Sequence, residues 1–339
     1  VEADLRWLEG RDHGVLIHGC EGYPVLLGQI RSAPWVLFYR GQPAVLDYPQ
    51  LAVIGSRTPS AGGARIAFDF AQAFAQMGLV ITSGLAQGID TQAHQGVLSV
   101  GGSTVAVVGS GPDVVYPAKN RDIADKITEK GVIVSEFPIG TPPKRENFPR
   151  RNRILSGLSL GVLVVEAAKQ SGTLITARFA LEQGREVFAV PGSIHNPLSK
   201  GCHALIKEGA KLVESAEDVL QEIAPQLTAF LAAGSQVGQA GERDAVAGGL
   251  SVGKRDDGGS ASAVSMVKPR RSVEKPRVVP TGLGAEGEVI LQALGYDPCS
   301  VDAVQERTGL SADSICATLV MLEIEGVVAV ATDGRWQRV

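Results

Sequence analysis

What this chain of 339 residues lacks narrows its chemistry before any motif is read. Its four cysteines, Cys20, Cys202, Cys299 and Cys316, form no CxxC pair, and His13, His18, His94, His195 and His203 fall into no HExxH or other ligand-like spacing. Zinc sites and a disulfide framework are therefore not expected, and no metal or cofactor is assigned. No GxxxxGK[ST] sequence occurs, which sets aside a P-loop ATPase. No apolar run reaches the roughly 18 residues of a membrane span, and no basic segment with an apolar signal core opens the chain. A folded cytoplasmic protein without membrane insertion is expected. The formal net charge of −4 argues against a uniformly basic nucleic-acid coat but leaves room for a local cationic groove. The start at Val1 rather than Met leaves room for an upstream element.

What is present is a patterned apolar framework. Leu51–Ile54, Leu79–Ile81, Thr104–Val108, Val132–Val134, Val162–Val165 and Val187–Val190 are short runs without polar alternation, the pattern of strands covered on both faces. Gly-containing turns follow, then segments such as Ala64–Met77 and Leu174–Gln183 with apolar residues three and four apart. This is βαβ logic and predicts an α/β fold with a doubly wound, mostly parallel, Rossmann-like sheet. We expect it over residues 45–232, with 1–44 as a separate N-terminal segment. Residues 233–284, rich in Gly, Ser, Ala and charge, bury too little surface to offset ordering and read as a flexible linker. Beyond it, Glu286–Leu294, Val301–Thr308 and Ala312–Glu325 read as helices, and Val327–Val339 as a hairpin turning at Asp333-Gly334. That order outlines a winged helix over 285–339.

Ligands of doubly wound sheets bind beyond the carboxyl ends of the strands, so the loops there carry the functional reading. Gly55, Ser56 and Arg57 end the first buried run, where a glycine admits a ligand to the backbone and arginine adds positive potential for phosphate. Ser83 and Gly84 open SGLAQGID, in which Asp90 is expected to cap a helix and His94 to pack within it. Gly109-Ser110-Gly111 begins like a dinucleotide fingerprint, but Val114 stands at the third glycine position. Ser171-Gly172-Thr173 precedes a helix and suits a phosphate cradle. Glu166 is expected to be a strand-end hydrogen-bonding residue and Glu182 a helix-surface residue, so no catalytic residue is assigned.

The densest signal is Asn147–Ile154 (NFPRRNRI), placed just ahead of a strand. Arginine forks grip phosphate and a neighbouring ring, Phe148, offers a stacking surface for a base. The octet alone is equally compatible with a core phenylalanine and a solvated arginine face.

Taken in order, AVIGSR, SGLAQGID with His94, GSGPDVVYP, SEFP, NFPRRNRI, VVEA with SGTLITA, and VPG followed by Gly201 and Leu205-Ile206 closely resemble the bacterial DNA-processing protein A family, DprA or Smf, across Tyr23–Val213. The resemblance implies a Rossmann-like protein that binds single-stranded DNA, forms homodimers and loads RecA recombinase onto incoming DNA during natural transformation. It implies a DNA pocket at Arg57, at Lys144 or Arg145, at Phe148 and at the arginines of RRNR, Arg151 and Arg153 among them. It also implies a helical domain before Tyr23-Pro24, of which Val1–Gly19 reads as the tail.

Two other readings have separate grounds. The Glu166-plus-SGT loop resembles that of nucleotide phosphoribohydrolases, but AAKQSGTLITA lacks their paired glycines. A duplex-binding regulator rests on the winged helix alone. Over Glu286–Val339, nine carboxylates oppose only Arg307, Arg335 and Arg338, and Ala312–Glu325 carries no Lys or Arg. Phosphate is repelled by such a surface, so a protein-contacting module is expected there.

Overall fold

A nine-stranded sheet organises the larger part of the computed structural model, which describes residues 2–240, 285–296, 298–330 and 334–338. Helix α1 (Glu2–Leu8) leads into strands β1 (His13–Ile17) and β2 (Val36–Gly41), with the short α2 (Val25–Gly28) between them. There follow β3 (Gln50–Ile54), α3 (Ala61–Gln76), β4 (Val80–Ser83), α4 (Ile89–Ser99), β5 (Thr104–Val107), α5 (Arg121–Lys130) and β6 (Val132–Ser135). The second half adds α6 (Asn147–Leu158), β7 (Gly161–Val164), α7 (Thr173–Glu182), β8 (Glu186–Ala189), α8 (Lys200–Lys207), β9 (Lys211–Leu212) and α9 (Ala216–Ala240).

The strand order is β1-β2-β6-β5-β4-β3-β7-β8-β9. β1 with β2 and β2 with β6 are antiparallel, and every pair from β6 across to β9 is parallel. From β3 the chain winds outward to β6, then resumes with β7 on the opposite side of β3. The order thus reverses between β3 and β7, where diverging connections open a crevice at the carboxyl ends.

Every residue of β3 to β7 is buried, which is why these strands are rich in Val and Ile without polar alternation. On one face Leu51, Val53 and Ile81 pack with Phe74 of α3, Val97 of α4 and Val219 and Ile223 of α9. On the other, Val107, Val134 and Val164 pack with Leu155 of α6, Ala177 of α7 and Leu205 of α8. Each large side chain fully buried in this way contributes about 1.5–3 kcal/mol.

Three expectations change. Residues 1–44 are not a separate segment, because β1 and β2 extend the sheet. NFPRRNRI forms the opening turns of α6. Helix α9 continues to Ala240, so 233–240 propagate it, each added residue contributing a hydrogen bond. The remainder of the expected linker, 241–284, lies outside the described residues.

The C-terminal unit has the winged-helix outline: α10 (Ala285–Leu294), α11 (Val301–Thr308), α12 (Ala312–Ile324) and the antiparallel strands β10 (Val328–Val330) and β11 (Trp336–Arg338). Ser300 and Ser311 cap α11 and α12 by accepting from backbone amides three residues on. Gly309 ends α11 at φ +70°, a left-handed position that glycine adopts without strain. Ile290, Leu294, Val304, Ile315, Leu319, Leu322 and Val328 form its core. Of the expected turn, Asp333 lies outside the described residues and Gly334 within them.

Candidate nucleic-acid interface

At the crevice between β3 and β7 lies a cleft of about 740 Å³. Its walls are the loop after β3, the start of α6 and the turn before α7. Gly55, Ser56 and Arg57 line it, as do Arg145, Phe148, Arg151, Ser171, Gly172 and Thr173. Ser83, Gly84, Lys144 and Arg153 are outside that lining.

Arg57 is exposed, and its guanidinium carbon lies 5.3 Å from the centre of the Phe148 ring. This distance allows a cation–π contact while the donors stay open to solvent. Phe148 is half-buried, with one edge supported by Gly109, where an added Cβ would come within 3.0 Å of the ring. Arg145 is exposed on the rim; Lys144, also exposed, contributes its carbonyl to the Asn147 amide at 3.1 Å. Of that basic pair, Arg145 is the one facing the cleft.

Of the octet's three arginines, Arg150 is exposed with its guanidinium carbon 5.4 Å from the centre of the Phe137 ring, whereas Arg151 and Arg153 are committed to partners within the fold. Helical geometry places Arg151 about one turn beyond Phe148 on the same side and Arg153 about 200° from Arg151. Arg151 is 4% exposed; its Nη1 donates to the Gly84 carbonyl at 2.8 Å and to the Val107 carbonyl, and its Nε to Asn152 Oδ1 at 3.0 Å. Arg153 makes two 2.7 Å bonds to the Glu136 carboxylate and donates to the Ser32 and Arg150 carbonyls, each at 2.9 Å. The expectation that Arg151 and Arg153 present open, phosphate-gripping groups therefore changes. Arg153 is an internal ion-pair residue away from the cleft, and Arg151 forms part of the cleft floor with a buried, carbonyl-bound guanidinium.

Burial sets the titration of this floor. Desolvation lowers Arg151 to about 10, against the opposing pull of Asp90, so it stays cationic at neutral pH. Asp90 is raised by burial, opposed by Arg151 and by amide bonds from Gly84 at 3.1 Å and Ala86 at 3.3 Å. It therefore ties down the loop ahead of α4, while Gly88 occupies the N-cap position expected for it. His94 packs within α4 as expected, Nδ1 bonding Thr104 Oγ1 at 2.8 Å, and burial then Arg151 drive it down to about 3.

The glycine- and serine-rich loops are largely self-satisfied. Gly55 allows close packing, since an added Cβ would meet Ile89 at 2.6 Å. Ser56 Oγ accepts from the Thr58 amide, and Ser83 Oγ donates to the Val53 carbonyl at 2.7 Å. Ser171 Oγ donates to Thr173 Oγ1 at 2.9 Å, and Thr173 Oγ1 donates to the Gly55 carbonyl at 3.0 Å. The SGT turn is thus bolted to the β3 loop by its own hydroxyls. Glu166 accepts from the Ser60 amide at 2.9 Å, Ser60 Oγ at 2.6 Å and Asn196 Nδ2 at 3.3 Å, and Glu182 is exposed.

Sequence reasoning missed Tyr116 as a cleft residue. It is 50% exposed and its ring centre lies 5.9 Å from that of Phe148. An aromatic residue in the loop after a buried strand was the available signal. Among the described residues no cluster of His, Cys, Asp or Glu could hold a metal, and no helix is long and apolar enough to cross a membrane.

Residues 14–224 match the family model of DNA recombination-mediator protein A, and residues 274–334 that of the DprA winged helix domain. The chain is 49% identical to Protein Smf of Escherichia coli K12 over 224 residues, 66% of this chain and 60% of that protein. It is 50% identical to DNA processing protein DprA of Streptococcus pneumoniae R6 over 200 residues, 59% of this chain and 71% of that one. The X-ray structure of Streptococcus pneumoniae DprA superposes with a TM-score of 0.62 at 46% identity, over 66% of this chain and 78% of that one. A Helicobacter pylori DNA processing protein A structure, described by its single-stranded DNA binding mode, gives 0.57 at 26% identity over 63% and 96% of the two chains.

Proposed function

The chain belongs to the DNA recombination-mediator protein A family, and from that premise we propose that it binds single-stranded DNA in the cleft between β3 and β7. In the same reading it works in the cytoplasm as a homodimer that loads RecA recombinase onto incoming DNA during natural transformation, without catalysing a covalent step. The observation that carries the binding claim is the exposed Arg57 guanidinium resting against the half-buried Phe148 ring, with Tyr116 alongside.

A cation and a ring within one cleft match the two surfaces of an unpaired strand. Arginine donors take phosphate, and an aromatic face takes a base irrespective of its identity. In duplex DNA the base faces are stacked away, so the ring has nothing to receive and single strands are preferred. Charge neutralisation releases counterions, which makes affinity fall as salt rises.

Glu166 supports the non-enzymatic reading. A general base needs an accepting oxygen within reach of substrate, whereas this carboxylate is 5% exposed and holds three donors of its own fold. The winged helix takes the protein-contacting role in this reading, because the acidic residues and the absence of Lys and Arg on α12 disfavour phosphate.

Fluorescence anisotropy with labelled single- and double-stranded oligonucleotides over a salt series tests the proposal. Tighter, salt-sensitive binding of the single strand is expected; equal affinity for both forms would overturn it. Release of free base from nucleoside monophosphates in a parallel incubation would instead favour the phosphoribohydrolase reading.

A further inference from the structure

We propose that Arg151 is a positioning residue that sets Phe148 at the stacking height a base requires, and that it contacts no phosphate itself. This role rests on the binding function proposed above and adds a division of labour within the arginines of the cleft.

The carbonyls of Gly84 and Val107 lie at the carboxyl ends of the neighbouring parallel strands β4 and β5, where buried oxygens need donors. One guanidinium nitrogen of Arg151 reaches both. The fit depends on glycine: an added Cβ on Gly84 would lie 2.3 Å from the guanidinium, a contact that requires one of them to move. Arg151 therefore ties α6 to two strand ends at once, while its Nε engages Asn152 on the same helix.

Phe148 stands one turn earlier on α6, so its ring height is set by how far the helix stands from the sheet. The margin is small. The ring rests on Gly109, just after β5, at the 3.0 Å an added Cβ would have, with Arg57 5.3 Å from its centre and Tyr116 5.9 Å away. Lengthening the distance from α6 to β4 and β5 lifts the ring off Gly109 and misaligns it with Arg57. Arginine suits the task because its rigid, planar guanidinium aims one nitrogen at both carbonyls while its Nε holds Asn152, whereas lysine is a single flexible point donor.

The role separates from phosphate contact by its salt behaviour. A residue that neutralises a phosphate contributes about one unit to the slope of log affinity against log salt; a residue that positions a ring contributes nothing to it. The full chain and its variants Arg57→Ala, Arg151→Met, Arg151→Lys and Gly84→Ala would be titrated with oligothymidylate and with an abasic chain of equal length. The expected result is that Arg57→Ala lowers the slope for both probes. Arg151→Met keeps the slope, weakens oligothymidylate about tenfold, the range of one lost base stack, and leaves the abasic chain unchanged. Arg151→Lys recovers part of the preference for bases.

A reduced salt slope in Arg151→Met would make it a phosphate ligand and overturn the proposal; so would an undiminished preference for bases. If Arg151→Met does not fold, Gly84→Ala displaces the guanidinium from the other side and should show the same selective loss, and an unchanged preference there overturns the idea equally. Wild-type protein that binds neither probe overturns the binding function itself, an outcome distinct from a wild type that binds both and variants that behave alike.

Discussion

The loop after β3 and the second turn of α6 both bring arginine to the open end of the sheet, and they treat the charge in opposite ways. Arg57 lies exposed on a loop, with a ring as the neighbour of its guanidinium. Arg151 and Arg153 lie on a helix packed against the sheet on one side and the β6 loop and N-terminal stretch on the other, so carbonyls and a carboxylate claim them. The lesson is that arginine density does not measure phosphate-binding capacity. What counts is which guanidinium groups the fold leaves without an internal acceptor.

Breaking the internal side of this contrast should produce the largest effect. Arg153→Ala removes one partner of a pair whose side chains are only 15% and 9% exposed and leaves Glu136 unpaired. The expected loss is about 3–5 kcal/mol of folding stability, read by urea unfolding. A change below about 1 kcal/mol would place Arg153 among ordinary surface ion pairs and erase its difference from Arg57.

A second measurement sharpens the internal side through pH. His94 is neutral when folded because burial holds it at about 3, but in the unfolded chain it protonates below its ordinary value of 6.5. Between those values the unfolded state binds more protons, so stability falls as pH drops through that window and levels off below it. At pH 5 the cost is about 2 kcal/mol. Replacing His94 with Gln should flatten this part of the stability profile, and a profile as steep as wild type would contradict the assignment.

On the exposed side the effects move from stability to binding. Phe148→Ala should weaken single-strand affinity by about 1–3 kcal/mol, measured by anisotropy, with duplex affinity little altered. Arg57→Ala should change stability by no more than about 0.5 kcal/mol. It should also lower the salt slope of binding by about one unit. A stability loss comparable with that of Arg153→Ala would show that Arg57, too, is a structural group. The smallest effect belongs to the acidic end: removing residues 285–339 should leave duplex affinity unchanged.

The sheet was legible because strands buried on both faces are mostly apolar, with the few buried polar groups such as Thr82 and Thr104 hydrogen-bonded inside, and β3 to β8 correspond to the six Val- and Ile-rich runs. β1 and β2 were not: their VLI and VLFY runs are as long, but they lie at the sheet's antiparallel side, mostly exposed or half-buried, and only the four-residue α2 separates them, with no helical period to mark a βαβ unit. In the site, Arg57 and Phe148 could be picked out from residue type and their place after or before a strand. The fates of Arg151 and Arg153 could not. Their partners, Gly84, Val107 and Glu136, come from strand ends distant in sequence, and the two-residue spacing gains its meaning only once the stretch is known to be helical. Tyr116 was hidden for a related reason, because only the folded loop brings it beside Phe148.

Photocrosslinking bears most directly on where an unpaired strand lies. An oligonucleotide carrying 4-thiothymidine would be irradiated with the intact protein and the modified peptides identified by mass spectrometry. The account predicts adducts at Tyr116, Phe148 or their immediate neighbours, lost under excess unlabelled single strand and retained under excess duplex. Adducts confined to α12, or to the face of the sheet away from the β3–β7 crevice, would contradict it.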